Sequence, residues 1–297
     1  MSNLVETYFS KHPYLPITPR LRHQLQAILD SSAPQETRRS AVEEAAYAYP
    51  TFTFNLLKLV NSEKFNLKTK IVVIKQASTI PTFELLADLL NQMPDYPADL
   101  ESRFSLGKLE EHGRATALAV QLLATIGKRF STQERERFFT AAILHDIGRC
   151  FLVMSDLNGY LKVVRDAEGD EESSVMIAEK TYFGTDHATL SAVALESIGI
   201  TDTDMLTAVR EHHGFPAGPT VLLAYADRFV KRFCIGPSDG VVMSVSMSNP
   251  DETRLKVALE EVLHMTIGDI LMHVLSEIDT ALTSGMVQFK YLAGGVK

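Results

Sequence analysis

One ordered series of side chains in this sequence could do metal chemistry: His112, the dipeptide His145-Asp146, His187, the pair His212-His213, and Asp227. Imidazole nitrogens together with a carboxylate able to bridge suit borderline divalent transition metals, here Fe, Mn, Ni or Zn, as one or two ions. Two ions about 3.5–4 Å apart would activate a water molecule and clamp a phosphate ester for in-line attack. Five of the nine histidines fall between residues 112 and 213, each at the head of, or inside, an apolar helical segment.

The dipeptide sits in "AAILHDIGR", residues 141–149, where Phe138, Phe139, Ala141, Ala142, Ile143, Leu144, Ile147 and Phe151 leave few polar positions. A helix apolar nearly all round belongs in a core. An ionised Asp146 there costs several kcal/mol unless it is paired or bound to a metal. Adjacent helical residues diverge by about 100°, so His145 and Asp146 share a site only over their common edge.

Each residue also has a plain structural reading. His112 reads as a polar helix start, His187 as a helix N-terminal residue beside an Asp186 cap, His213 as a solvated turn and Asp227 as a buried acceptor for a helix end. A His-Asp pair alone arises by chance in many chains. The ordered series, rather than the pair, raises the metal reading.

The elements that must position these groups are helical. From Pro19, Leu21, Leu25, Ile28 and Leu29 recur at helical spacing, and "SSAP" ends the segment. Alanine-rich and leucine-rich helical stretches follow to about residue 98, a first helical lobe. After the break "PDYPADLES", further helical periods carry the ligand series through residues 99–235, and 236–297 adds a loop and closing helices that pack on that lobe. A long loop or short β-hairpin is expected at 234–248. Strands do not alternate with helices, which excludes a Rossmann-like sheet and predicts an all-α array.

Composition bounds the function. A net charge of −8 over 297 residues, with no block of about five or more basic residues, argues against a nucleic-acid partner. Cys150 and Cys234 are isolated, so neither a disulfide framework nor a thiolate zinc cluster is expected, and the cytoplasm is the natural compartment. There is neither a secretory start nor an apolar run of about 18 residues, so no membrane association is expected.

The series resembles the HD superfamily of metal-dependent phosphohydrolases, and its wider texture is similar to the HDOD domain, the HD-related output domain of bacterial signalling proteins. The likeness runs from about residue 13 to 230. "LPITPRLRHQLQAI" is similar to the family's entry helix, "LLKLVNSEKFN" to its Leu-Leu-x-x-x-Asn-Ser element and "IKQA" to its Gln-Ala segment, while "AAILHDIGR" and "EKTYFGTDHATLSAVALESIGI" resemble its two main blocks. The chain departs at Tyr49-Pro50, where the family has Asp-Pro, around Ile80-Pro81, and in "LEEHGR", which lacks the usual aromatic before the first histidine.

The resemblance implies an all-helical array of the HDOD and HD type that regulates a signalling pathway by binding a protein partner or a phosphate-containing small molecule such as a nucleotide. The alternative is an active metal-dependent phosphohydrolase like the HD-GYP cyclic nucleotide phosphodiesterases, whose Gly-Tyr-Pro signature is replaced by "HHGFPAGP". On that alternative Asp146 bridges two ions. His112, His145 and Asp227 hold the first, His187 with His212 and His213 the second, and Arg149 or Lys180 steadies a phosphate. Arg149 and Lys180 have the plain reading of solvated helix positions, and Asn61-Ser62 reads as a helix-ending turn or as part of an interface.

Overall fold

A computed structural model of the chain describes residues 3–167, 172–231, 250–270 and 272–273. Among them sixteen α-helices with defined bounds succeed one another, and residues 267–270 and 272–273 are helical as well. The first seven are α1 (Asn3–Phe9), α2 (Pro19–Asp30), α3 (Gln35–Ala48), α4 (Pro50–Val60), α5 (Ile74–Thr79), α6 (Phe83–Gln92) and α7 (Ala98–Glu101). Then come α8 (Leu106–Ile126), α9 (Thr132–Leu144), α10 (Gly148–Ser155), α11 (Leu157–Asp166), α12 (Glu172–Phe183), α13 (His187–Ser197), α14 (Thr203–Arg210), α15 (Val221–Lys231) and α16 (Pro250–Leu263). The protein is all-α, with one isolated parallel bridge between Ile17 and Asp95 among the described residues. The loop or hairpin expected at 234–248, and any helix beyond residue 273, lie outside the described residues.

Local chemistry starts and stops these helices. Pro19 opens α2 while the Thr18 hydroxyl accepts the Leu21 N–H, and Ser131 with Glu134 forms a reciprocal capping box at α9. Asn55, buried in α4, donates to the Leu15 carbonyl at 2.9 Å and accepts the Leu15 N–H at 2.8 Å, which pins the entry segment to the core. Asn61 ends α4 and clasps the Ile71 backbone in the same two-way manner, at 2.8 and 2.7 Å. That geometry is the turn reading of Asn61-Ser62.

The long α8 is the axis of the assembly, with α3, α4, α9 and α15 packed against it, while α13 packs on α10 and α14. One continuous buried apolar cluster runs from Val5 to Ile270. The stretch Thr132–Ser155 is long and apolar enough to cross a membrane, yet 89% of its apolar window is buried inside the protein, so its apolar faces are already covered by other helices. This packing brings the middle of α8, the α9–α10 junction, the start of α13, the end of α14 and α15 to one place.

Candidate metal centre

The expected single helix through "AAILHDIGR" is interrupted. α9 ends at Leu144, α10 begins at Gly148, and the three residues between them form a turn. The local hydrogen bonds tighten to i→i+3 spacing, from Ile147 N–H to Leu144 O, Arg149 N–H to Asp146 O and Cys150 N–H to Ile147 O. That winding turns adjacent side chains by about 120°, so His145 and Asp146 meet only over their common edge, which the neighbouring helices enclose. Both aim into the same buried space.

Gly148 makes the junction possible. A Cβ there would lie 2.1 Å from the His187 carbonyl oxygen and 2.8 Å from the Ser191 nitrogen. The Gly148 N–H also donates to the Ser191 hydroxyl at 2.8 Å, so α10 and α13 touch backbone to backbone. That contact sets the distance between Asp146 and His187.

Asp146 lies between two groups of imidazoles. Its Oδ2 is 3.7 Å from His112 Nε2 and 3.6 Å from His145 Nε2, and its Oδ1 is 3.3 Å from His187 Nε2 and 3.6 Å from His212 Nε2. Asp227 Oδ1 completes the first group, 3.0 Å from His112 Nε2 and 3.5 Å from His145 Nε2. His213 Nε2 joins the second, 2.7 Å from His187 Nε2. All seven residues of the series are thus brought together. Lys180 is not: it pairs with Asp186 at 3.1 Å with its side chain 57% exposed.

The rings are oriented from behind. His145 and His212 each follow the end of a helix, and each donates its Nδ1–H to the carbonyl three residues back, Ala142 at 2.6 Å and Val209 at 2.7 Å. Those carbonyls are in the last turns of α9 and α14, where no intrahelical partner remains. His187 Nδ1 donates to Glu179 Oε2 at 2.6 Å, and its own backbone N–H reaches the same oxygen at 2.8 Å. In each case the network assigns the proton to Nδ1 and leaves Nε2 to face the centre.

The centre is buried and charged. His112, His145, His187, His212 and Asp227 are fully buried, Asp146 nearly so, and the His213 side chain is 5% exposed. Burial opposes ionisation of Asp146, but Arg149, His145 and His187 outweigh it and hold its pKa well below the usual carboxylate range. Asp227 is held low in the same way, chiefly by Lys231 against its burial. Burial pushes His212 down to about 4 and, with His212 and Lys231 nearby, pushes His213 well below its ordinary value. His145 is raised, because Asp146 and Asp227 overcome the effect of burial.

Both oxygens of Asp146, Asp227 Oδ1 and His212 Nε2 are buried and make no hydrogen bond among the described residues. Unpaired buried acceptors normally cost about 1–3 kcal/mol each. These four atoms, divided between two adjoining groups that hold four further imidazoles, form a donor set that divalent cations satisfy. Two combinations have ligand atoms close enough to hold one ion: Asp146, His187, His212 and His213, and His112, His145 and Asp146.

Arg149 is not the solvated helix position that one sequence reading allowed. It is 2% exposed, with Nε 3.1 Å from Asp146 Oδ2, Nη1 donating to the Tyr160 hydroxyl at 2.9 Å and Nη2 3.1 Å from His187 Nε2. Sequence reasoning overlooked three other members. Glu179 orients His187; its signal was its place beside Lys180 in "EKTYFGTDHATL". Lys231 donates to Asp227 Oδ2 at 2.7 Å, a pair whose i, i+4 helical spacing was readable. Tyr160 had no local signal.

The model of the HDOD domain matches residues 15–215. The chain belongs to the HDOD family. Among solved structures, this HDOD chain is similar to the MmoQ response regulator from Methylococcus capsulatus str. Bath. Identity is 16% over 88% of this chain and 97% of that one, with a TM-score of 0.64. It is also similar to a virulence factor, cj0248, from Campylobacter jejuni subsp. jejuni, with 17% identity over 92% of this chain and 95% of that one and a TM-score of 0.64. At such identities the likeness is one of fold. No curated protein matches the sequence.

Proposed function

We propose that this HDOD protein is a bacterial, cytoplasmic signal-transduction module that keeps an HD-type metal centre as a structural or sensing element and acts by binding a partner protein or a phosphate-containing small molecule. The observation that carries the proposal is a full set of ligands closed inside the core, with Arg149 and Lys231 already committed to its carboxylates. Asp146, Asp227 and Glu179 place three carboxylates in and behind the ligand set, a composition that suits a divalent cation.

His112, His145 and Asp227 would hold one divalent transition metal and His187, His212 and His213 a second, with Asp146 between them. Such an ion, when bound, supplies Lewis-acid charge to an oxygen ligand. A substrate phosphate would need free cationic groups and a way in, whereas Arg149 is locked between Asp146, Tyr160 and His187.

A second reading, a metal-dependent phosphohydrolase of the HD-GYP kind, is favoured by one observation: the two oxygens of Asp146 face different histidine groups, as a bridging carboxylate does. Metal analysis of anaerobically purified protein tests the centre. One or two equivalents of Fe, Mn, Ni or Zn per chain are expected, lost in Asp146→Ala, and no stoichiometric metal in either protein would refute it. Turnover of a panel of cyclic and linear phosphodiesters at about 1 s⁻¹ or faster, within the ordinary range of enzymes, would overturn the regulatory reading in favour of the second.

A further inference from the structure

Away from the metal centre, a cleft of about 610 Å³ opens between the start of α2, the α3–α4 junction, α7 and the first turns of α8. None of the seven metal-centre residues lines it. Its size falls in the range of about 300–1,000 Å³ that small-molecule sites occupy. α8 serves both places: His112 faces the metal centre, and Glu110, two residues earlier, faces the cleft.

Most polar groups lining this cleft are already used. Glu101 accepts from the Ser105 hydroxyl and from the Leu106 and Gly107 N–H groups, Tyr96 donates to the Phe104 carbonyl, and Tyr49 donates to Gln24. Among the buried ones Glu110 is the exception, while Glu111, exposed, adds a second carboxylate to the lining. Glu110 is 6% exposed, and its buried Oε1 has no hydrogen-bond partner among the described residues. A buried carboxyl oxygen in that state calls for a hydrogen-bonding partner from whatever fills the cleft.

The rim carries the opposite demand. Arg20 is exposed and Arg114 half-buried, both line the cleft, and neither comes within ion-pairing distance of a carboxylate among the described residues. Guanidinium forks of this kind recognise phosphate and carboxylate. Tyr49, half-buried, also lines the cleft and adds an aromatic ring to it. An occupant must therefore carry an anion, hydrogen-bonding groups and a flat ring in one molecule.

We propose that this cleft binds a nucleotide, its base hydrogen-bonded to the Glu110 carboxyl group and its phosphate lying on Arg20 and Arg114. Base edges hydrogen-bond with carboxyl groups and phosphate pairs with arginine, and the cleft offers both partners. The site is independent of the metal, since no ligand of that centre contributes to it.

Isothermal titration of the full chain with adenosine, guanosine, cytidine and uridine 5′-monophosphates, run in EDTA, separates this site from the metal centre. At least one nucleotide is expected to bind with a Kd below about 1 mM, and its nucleoside and inorganic phosphate each at least tenfold more weakly. Glu110→Met, which removes the acceptor at similar size, and Arg20→Ala, an exposed change that leaves the core intact, are each expected to weaken binding about tenfold or more. If Glu110→Met does not fold, Arg20→Ala decides. The proposal is overturned if no nucleotide binds, if binding vanishes in EDTA, or if the folded variants bind like the parent.

Discussion

Gly148→Ala is the sharpest probe of how the metal centre is built. A Cβ at residue 148 would fall 2.1 Å from the His187 carbonyl oxygen, where ordinary contact begins near 3.4 Å. Backbone on both sides leaves no flexible side chain to yield, so α10 and α13 must separate by about an ångström. Overpacking of this kind costs about 1–3 kcal/mol, and loss of the 2.8 Å bond from Gly148 N–H to Ser191 adds about 1 kcal/mol. The total, about 2–4 kcal/mol, lowers the melting temperature by roughly 3–6 °C in a chain of this size.

The same movement pulls Asp146 away from His187, now 3.3 Å apart, by more than the roughly 0.5 Å that a functional site tolerates. Metal bound per chain should therefore fall even where the variant remains folded. Urea melts and metal analysis of the purified variant read both effects. Gly107→Ala is the control, because a Cβ there meets nothing closer than 3.5 Å within α8 and should be neutral or stabilising by up to about 1 kcal/mol. A Gly148→Ala protein with the parent's urea midpoint and metal content would refute the steric reasoning.

Three further outcomes follow from the geometry. Glu179→Gln removes the charge that orients His187 and should weaken metal affinity about 10–100-fold in a chelator competition, with unchanged affinity contradicting its orienting role. Lys231→Met leaves Asp227 without its buried ammonium partner and should destabilise the chelator-treated protein by about 3–5 kcal/mol, less when metal is present; equal losses in both forms would count against a shared charge balance. Burial raises the Glu110 pKa to about 8, so between about 4.5 and 8 the unfolded chain is ionised while the folded one holds its proton, and stability falls as pH rises through that window. Glu110→Gln lacks this dependence and should gain about 2–3 kcal/mol on the parent between pH 5 and pH 7 in denaturant melts, whereas a pH-independent difference would refute the assignment.

The sequence by itself determined the helical class, because 3.6-residue periodicity, caps such as Thr18 and Ser131 and breakers such as "SSAP" are local signals that act before any tertiary contact forms. It also carried the types and order of the centre's groups, from His112 to Asp227, and the resemblance to HDOD proteins that the family match establishes. The pairing of Lys231 with Asp227 was legible too, since i, i+4 neighbours meet on any helix.

Only tertiary structure decided the rest. Helical period alone runs α9 into α10, and the turn at 145–147 exists because Gly148 is pressed against the α13 backbone. Arg149 looked as fit for a helix surface as for a site, until α11 and α13 closed over it with Tyr160 and His187. Glu179 reaches His187 from a different helix, and Glu110 faces a cleft whose other walls come from α2, the α3–α4 junction and α7. Burial, and with it the low dielectric that sets these charges and orphans these oxygens, is a property of contacts distant in the chain, and no local pattern encodes it.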